Sequence, residues 1–401
     1  MFQSPASLLT CVIVLVVAYF FHNIEINDNT VALVLGGFSD TLSFIPECFS
    51  GTNPWCDGDY GMHYFSAPFH IIVDELGSSN TQTADQVAEH YISSLDASSK
   101  TPLNGKVAII TGASNGIGLE IARVFLKFGC RVVFAVRNVT KGEETYENIQ
   151  SKMKGDDNIG TAYILHLDLS DLRSVERFVA SFQALDIPLH YLINNAGIMA
   201  LPEEKISKQG YEMQFATNHL GHFYLIRLLE DSLLQSGTSD HPARVLCVTS
   251  TVSNLWNGPG KQGMKGLVPP TARPYQPLLN YALSKVLNIL TAKELQRRWG
   301  PDVNAVAVAI HPGVVETSLV RDNSRLEAVF FIGLFFMLKS VEQAASTALY
   351  AALASEVVAQ ARAGHYYYRN NAVSKPRGWK LYTEELCREA WELSVELVDD
   401  S

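Results

Sequence analysis

From Lys106 onward, short apolar runs alternate with longer stretches of helix-like spacing. The first run, "KVAIIT", is β-branched, ends at glycines and is followed by the helix-like "IGLEIARVFLKFG". "RVVFAV" predicts a second strand, and a polar helix is expected from about Lys141 to Lys154. The pattern repeats in "AYILHLDL" with "LRSVERFVASFQAL", and again in "YLINNAG" with a long helix around Asn218. "RVLCVTS" then precedes a loop and an apolar helix containing "NYALSKVLNIL", and "NAVAVAIHPG" closes another unit. "GHYYYRN" and "EELCREAWELSVELV" read as a last strand and a terminal helix. Short strands that are apolar throughout, rather than alternating, are buried on both faces, as in a parallel sheet covered by helices. With right-handed crossovers this predicts an α/β fold, a doubly wound parallel sheet.

Residues 1–99 break the rhythm. They hold eleven Asp or Glu and no Lys or Arg, within a chain total of 31 basic and 41 acidic residues, so the remainder is nearly balanced. The break predicts three parts: an apolar signal-like or anchor segment over 1–21, an N-terminal extension over 22–99, and the α/β domain over 100–401. Leu8 to Phe21, "LLTCVIVLVVAYFF", is almost uninterrupted in its apolar character. At 1.5 Å per residue it spans about 21 Å, short of the roughly 30 Å hydrocarbon core of a bilayer. A signal peptide without its usual positive start, a short membrane anchor and a buried strand all fit that length. The extension is turn-rich in "SGTNPWCDGDYG" and ends in a polar lead-in with one short helix.

Composition narrows the class of protein. A chain 47% hydrophobic and 18% charged folds, and a net charge of -10 without a basic patch gives no electrostatic case for nucleic acid. The six cysteines, at 11, 48, 56, 130, 247 and 387, include no pair at metal-ligand spacing. Cys48 and Cys56 could pair in a lumenal setting; Cys130, Cys247 and Cys387 read as small apolar fillers.

Candidate chemistry gathers at the strand ends. The turn after the first strand, "TGASNGIG", carries Gly112, Gly116 and Gly118. A strand, glycine turn and helix start place backbone N–H groups and the positive helix end where a pyrophosphate can sit. At the end of the second strand, an acid would hold a ribose 2′-hydroxyl and an arginine would accommodate a 2′-phosphate. Here Val136 is followed by Arg137 and then Lys141, which favours NADP(H) over NAD(H), since a guanidinium suits phosphate. Asp168 ends the third strand, where it either contacts the adenine or caps the next helix. Asn194 to Gly197 end the fourth. Tyr281 and Lys285 lie four apart, on one face of a helix.

Together, Thr111-Gly112-x-x-x-Gly116-x-Gly118, Asn194-Asn195-Ala196-Gly197, Tyr281-x-x-x-Lys285 and Pro312-Gly313 resemble the short-chain dehydrogenase/reductase family. "NHLGHFYL", "AVRNVTKGE" and "IHPGVVETSLV" are most similar to its retinol dehydrogenase and WW-domain-containing oxidoreductase branch. The resemblance runs from about Thr101 to the end and implies a single Rossmann-type domain with roles for the matched positions. Tyr281 would be the acid/base. Lys285 would lower its pKa together with the oxidised nicotinamide, and would bind the nicotinamide ribose. Ser250 would hydrogen-bond the substrate oxygen, and Asn218 would hold a water in a proton relay. Thr111 would brace the glycine turn, whose Gly112, Ser114, Asn115, Gly116, Ile117 and Gly118 would carry the cofactor. Asn195, Ala196 and Gly197 would contact it further along. Pro312, Gly313 and Thr317 would border the nicotinamide, Thr317 on its carboxamide. Asn115 stands where many NADP enzymes of the family carry a basic residue. With Trp55 as the only tryptophan of residues 1–99, no WW module is expected there.

The implied activity is an NADP(H)-dependent interconversion of an alcohol and a carbonyl. The apolar run Ala328 to Leu338 falls where the family places its substrate lid, which suits a lipophilic retinoid- or steroid-like molecule. Together with residues 8–21 it raises the expectation of a membrane-associated protein, at the endoplasmic reticulum, or of a cytoplasmic one should 8–21 not be a targeting signal. Self-association into a homo-oligomer stays open. The alternative is a catalytically weak, NADP(H)-sensing interaction protein, whose extension binds a partner.

Overall fold

The computed structural model describes residues 81–95, 101–153, 159–256, 258–259, 263–266, 275–315, 339–376 and 379–400. The apolar segment 8–21, the extension up to residue 80 with its cysteines, most of the loop before Tyr275, Thr317 and the run 328–338 lie outside the described residues.

The strands are β1 (Val107–Thr111), β2 (Arg131–Val136), β3 (Ala162–His166), β4 (Tyr191–Asn194), β5 (Ala243–Val248), β6 (Ala305–His311), β7 (Tyr367–Arg369) and β8 (Ala372–Val373). They form a sheet in the order β3-β2-β1-β4-β5-β6-β7-β8. Pairing is parallel from β3 through β7, the doubly wound sheet expected from the apolar runs. β8 is antiparallel to β7. Asn370 and Asn371 between them have φ of 53° and 58°, as a two-residue hairpin requires; "GHYYYRN" therefore opens a hairpin instead of ending the sheet.

The helices are α1 (Ala84–Leu95), α2 (Gly116–Lys127), α3 (Val139–Lys152), α4 (Leu172–Gln183), α5 (Gly221–Ser236), α6 (Pro277–Trp299), α7 (Val341–Leu353), α8 (Ser355–Arg362) and α9 (Glu384–Asp399). The polar helix α3 starts at Val139 rather than Lys141 because Asn138 caps it, its Oδ1 accepting the Lys141 N–H at 3.0 Å. The helix expected around Asn218 is broken: a π-helical turn over Ala216–Leu220 precedes α5.

Two apolar cores flank the sheet. Residues of α4, α5, α6 and α9 pack on one face, and those of α1, α2, α7 and α8 on the other. Strand residues alternate between the two, Ile109 and Leu192 facing one and Ile110 and Ile193 the other, which is why no polar position interrupts these strands. Helix α1, the short helix expected in the extension, buries Val87, Ala88 and Ile92. Its Asp85 pairs with Arg123 and, at 2.7 Å, with Lys127, so α1 belongs to the helical layer although it precedes the charge break. Cys130, Cys247 and Cys387 are free and buried, in keeping with their reading as fillers. No helix among the described residues is long and apolar enough to cross a membrane.

From β1 the chain builds β2 and β3 on one side, then returns to β4 on the other. The carboxyl ends of β1 and β4 therefore meet at a topological switch point, where open α/β sheets bind ligands.

Candidate active site

The glycine turn leaves β1 at this switch point. Gly112 and Gly116 have φ of 69° and 55°, a left-handed backbone that costs glycine little. Gly118 is required by proximity instead: a Cβ there would stand 2.5 Å from Asn195 Nδ2 and 2.7 Å from Gly112 O. Asn195 Nδ2 donates to Thr111 O at 3.0 Å, and the Asn195 and Ala196 N–H groups donate to Thr111 Oγ1, both at 2.9 Å. Thr111 thus braces the turn after β4 with its hydroxyl and reaches the glycine turn only through its carbonyl and Asn195. Ser114 and Ile117 are half-buried along the rim, and Asn115 is the N-cap of α2, its Oδ1 accepting the Gly116 N–H at 2.9 Å. Side-chain-free positions beside the start of a helix form a cradle that fits the pyrophosphate of NAD(P)(H).

Arg137 and Lys141, beyond β2, are exposed; the guanidinium has no hydrogen bond or ion pair among the described residues. Asp168 does not cap the next helix. Asp171 does, accepting the Arg173 N–H at 3.1 Å, because Asp168 lies three residues too early. Its Oδ1 instead accepts from the Ser170 N–H at 3.0 Å and the Ser170 hydroxyl at 2.7 Å.

Tyr281 and Lys285 lie on α6, 4% and 3% exposed, with Lys285 Nζ 5.6 Å from the Tyr281 ring centre. Lys285 Nζ donates to Val248 O at 3.2 Å, at the end of β5. The Thr249 hydroxyl donates to Lys285 O at 2.7 Å. Ser250 is the N-cap of the short 3-10 helix Thr251–Leu255, its Oγ accepting the Val252 N–H at 3.2 Å, and its hydroxyl lies near enough to the Tyr281 phenol to favour the ionised form. Burial pushes that phenol up to about 12, the Ser250 hydroxyl opposing it. Burial also brings the Lys285 ammonium down to about 8, opposed by Cys247. The lowering of Tyr281 expected from Lys285 is thus not produced by the protein's own groups, because desolvation outweighs them.

Asn218 sits in the π-turn and is fully buried. Its Oδ1 accepts the Ile198 N–H at 2.8 Å, and its Nδ2 donates to Ile198 O at 2.9 Å and to Ser284 Oγ at 3.0 Å. The side-chain amide is therefore committed to protein groups, and the Asn218 backbone carbonyl oxygen lies 3.0 Å from His222 Nδ1. Gly197 joins the two halves of the site: a Cβ there would meet Asn218 Oδ1 at 3.2 Å and Lys285 Nζ at 3.4 Å. Pro312 is buried, and Gly313 has φ of 96°, with Lys339 Cδ 2.7 Å from where a Cβ would stand. Met199, Ala200 and Val252 form an apolar cluster with Tyr281. Ile198, Ser284 and His222 were not among the expected site residues, although Ser284 lies within "NYALSKVLNIL" and His222 within "NHLGHFYL".

With the glycine cradle at the switch point joined through Gly197 to the buried Tyr281–Lys285 pair, and Ser250 at its edge, the site has the parts of a nicotinamide-dependent oxidoreductase. Comparison with known proteins agrees. A family model described as short chain dehydrogenase matches residues 106–260. The WW domain-containing oxidoreductase of Homo sapiens is 35% identical over 74% of this chain and 69% of its own length. Retinol dehydrogenase 11 of Homo sapiens is 35% identical over 77% of this chain and 90% of its own. The polyprenol dehydrogenase of Homo sapiens is 33% identical over 74% and 86%. Among solved structures, an uncharacterised protein from Mycobacterium paratuberculosis superposes with a TM-score of 0.55 at 30% identity, covering 74% of this chain and 94% of that one. The chain belongs to the short-chain dehydrogenase/reductase family, in the branch of these retinol dehydrogenase-like relatives. It is an NAD(P)-dependent oxidoreductase that interconverts alcohols and carbonyls.

Proposed function

We propose that the chain is an NADP(H)-dependent oxidoreductase acting on a lipophilic alcohol or carbonyl of retinoid- or steroid-like size, with Tyr281 as acid/base. The observation that carries this is the convergence of Tyr281, Lys285 and Ser250 beside Gly197, with Met199, Ala200 and Val252 as the apolar surroundings of the phenol. Relatives named for retinol and polyprenol support an apolar substrate. The bound nicotinamide supplies or takes the hydride.

Near neutrality a phenol pushed up to about 12 keeps its proton, which suits Tyr281 to protonate the oxygen of a carbonyl being reduced. Ser250, beside the phenol, would hydrogen-bond the same oxygen. Lys285, at about 8, is mainly cationic at pH 7, so it stabilises the phenolate left behind when the proton is given up. The exposed Arg137 and Lys141 supply the positive charge for a 2′-phosphate. Pro312 and Gly313 would border the nicotinamide.

Purified protein mixed with NADPH and a panel of retinals, long-chain aldehydes and ketones tests the proposal. Oxidation of NADPH with the apolar members and its loss in Tyr281→Phe are expected. Full turnover in Tyr281→Phe, or turnover confined to small polar carbonyls, overturns it.

A further inference from the structure

We propose that His222 is a positioning residue that ties the catalytic helix layer to the dinucleotide turn, holding the Asn218 carbonyl with one ring nitrogen and the Thr111 hydroxyl with the other. The inference rests on the function proposed above. His222 Nδ1 lies 3.0 Å from Asn218 O, its Nε2 lies 2.9 Å from Thr111 Oγ1, and the residue is 3% exposed.

The partners fix the tautomer. A carbonyl oxygen can only accept, so Nδ1 carries the proton and Nε2 is the acceptor. The Thr111 hydroxyl then donates to Nε2, leaving two lone pairs for the Asn195 and Ala196 N–H groups at 2.9 Å. The competing acceptor for that hydroxyl, Ile193 O, is more distant at 3.4 Å. Each donor and acceptor is used, in an unbroken chain from the π-turn to the strand ends that hold the glycine turn. A protonated ring would aim a third donor at the Thr111 oxygen, one more than it can take. Burial keeps the ring neutral, bringing its pKa down to about 3 against the bond to Asn218, with Lys285 adding repulsion.

The π-turn gives this link its consequence. Gly221 N–H donates to Ala216 O, so backbone pairing is shifted by one residue here, a local irregularity frequent at functional sites. Asn218 in that turn grips Ile198, next to Gly197, and Ser284 on α6, one residue from Lys285. A slack Asn218 would therefore disturb the Tyr281–Lys285 face, whereas a slack Thr111 would disturb the turn that carries the dinucleotide.

The two ring nitrogens can be separated by substitution. In His222→Asn the amide nitrogen falls near the Nδ1 position and still serves Asn218, while Thr111 loses its acceptor. In His222→Gln the amide reaches the Nε2 position and serves Thr111, while Asn218 loses its donor. Loss of one buried hydrogen bond corresponds to roughly a tenfold effect. His222→Asn should weaken NADPH binding by about that factor with kcat nearly unchanged, and His222→Gln should lower kcat by about that factor with NADPH affinity nearly unchanged. Thr111→Val, which also removes the acceptor of the Asn195 and Ala196 N–H groups, should lose more NADPH affinity than His222→Asn, and adding His222→Asn to it should cost little further.

A readout independent of turnover is the imidazole nitrogen spectrum of the protein without dinucleotide. It should show a fixed Nδ1–H tautomer that does not titrate between about pH 5 and 8, where a free imidazole does. If both His222 variants misfold, this spectrum and Thr111→Val carry the test. An Nε2–H or titrating ring, or parallel losses of kcat and affinity in both variants, overturns the inference. Parallel losses in an active, NADPH-binding protein overturn the coupling alone; a wild type that binds neither dinucleotide overturns the proposed function and the coupling with it.

Discussion

Replacing Gly118 by alanine adds one methyl group where the cradle has no room. The methyl carbon would stand 2.5 Å from Asn195 Nδ2, 2.7 Å from Gly112 O and 3.1 Å from Gly112 C. Gly118 lies in α2, where alanine is otherwise the better residue, by about 1 kcal/mol; the whole penalty therefore comes from contact. Gly112 O is backbone and cannot turn away. Asn195 can, but only by giving up its 3.0 Å bond to Thr111 O. Overpacking costs about 1–3 kcal/mol and a lost hydrogen bond about 1 kcal/mol more, so a net destabilisation of about 1–3 kcal/mol remains after the helix gain. For a domain of this size that lowers Tm by roughly 2–10 °C. The displaced groups line the pyrophosphate cradle, and a distortion costing 1.4 kcal/mol or more in the complex weakens NADPH at least about tenfold. Thermal melting and NADPH fluorescence titration measure the two effects. A variant with wild-type Tm and wild-type affinity would refute the placement of Gly118 against Asn195, and with it the cradle.

Other expectations follow from single groups. Arg137→Ala should weaken NADPH roughly tenfold and leave NADH unchanged; equal effects on both, measured by titration, would remove the case for NADP(H). Carbonyl reduction should decline as pH rises through about 8, where Lys285 loses its proton, and a flat profile from pH 7 to pH 9 would contradict its role. Burial brings His190 down to about 4, with Lys106, Arg131 and His241 adding repulsion, and its Nδ1 accepts the Val107 N–H at 3.1 Å. Its folded pKa is below the unfolded value, so the unfolded chain binds more protons and stability falls as pH drops from about 6.5 toward 4. Denaturant midpoints should show that slope, and His190→Asn should reduce it.

The sheet was legible because its strands are buried on both faces, so "KVAIIT" and "NAVAVAIHP" contain no interrupting polar residue. The Tyr281–Lys285 pair was legible for a different reason: a spacing of four on a helix fixes proximity without knowledge of the rest of the fold. What the sequence concealed were features set by tertiary contact. The alanine-rich α7 is buried nearly all round and so shows no amphipathic period. The π-turn at Asn218 leaves no local signature and needs Ile198 and Ser284 from elsewhere to define it. Asp168 and Asp171 both precede α4, and backbone geometry chooses between them. The charge of Lys285 four residues from Tyr281 can be read from spacing, whereas the burial that opposes it cannot.

The account centres on Tyr281 as the proton donor, and single-turnover reduction of a lipophilic aldehyde in wild type and Tyr281→Phe measures this directly. The account predicts a fall in rate of about 10²–10⁴-fold with NADPH affinity unchanged. A Phe variant that reduces the aldehyde at close to the wild-type rate would contradict it.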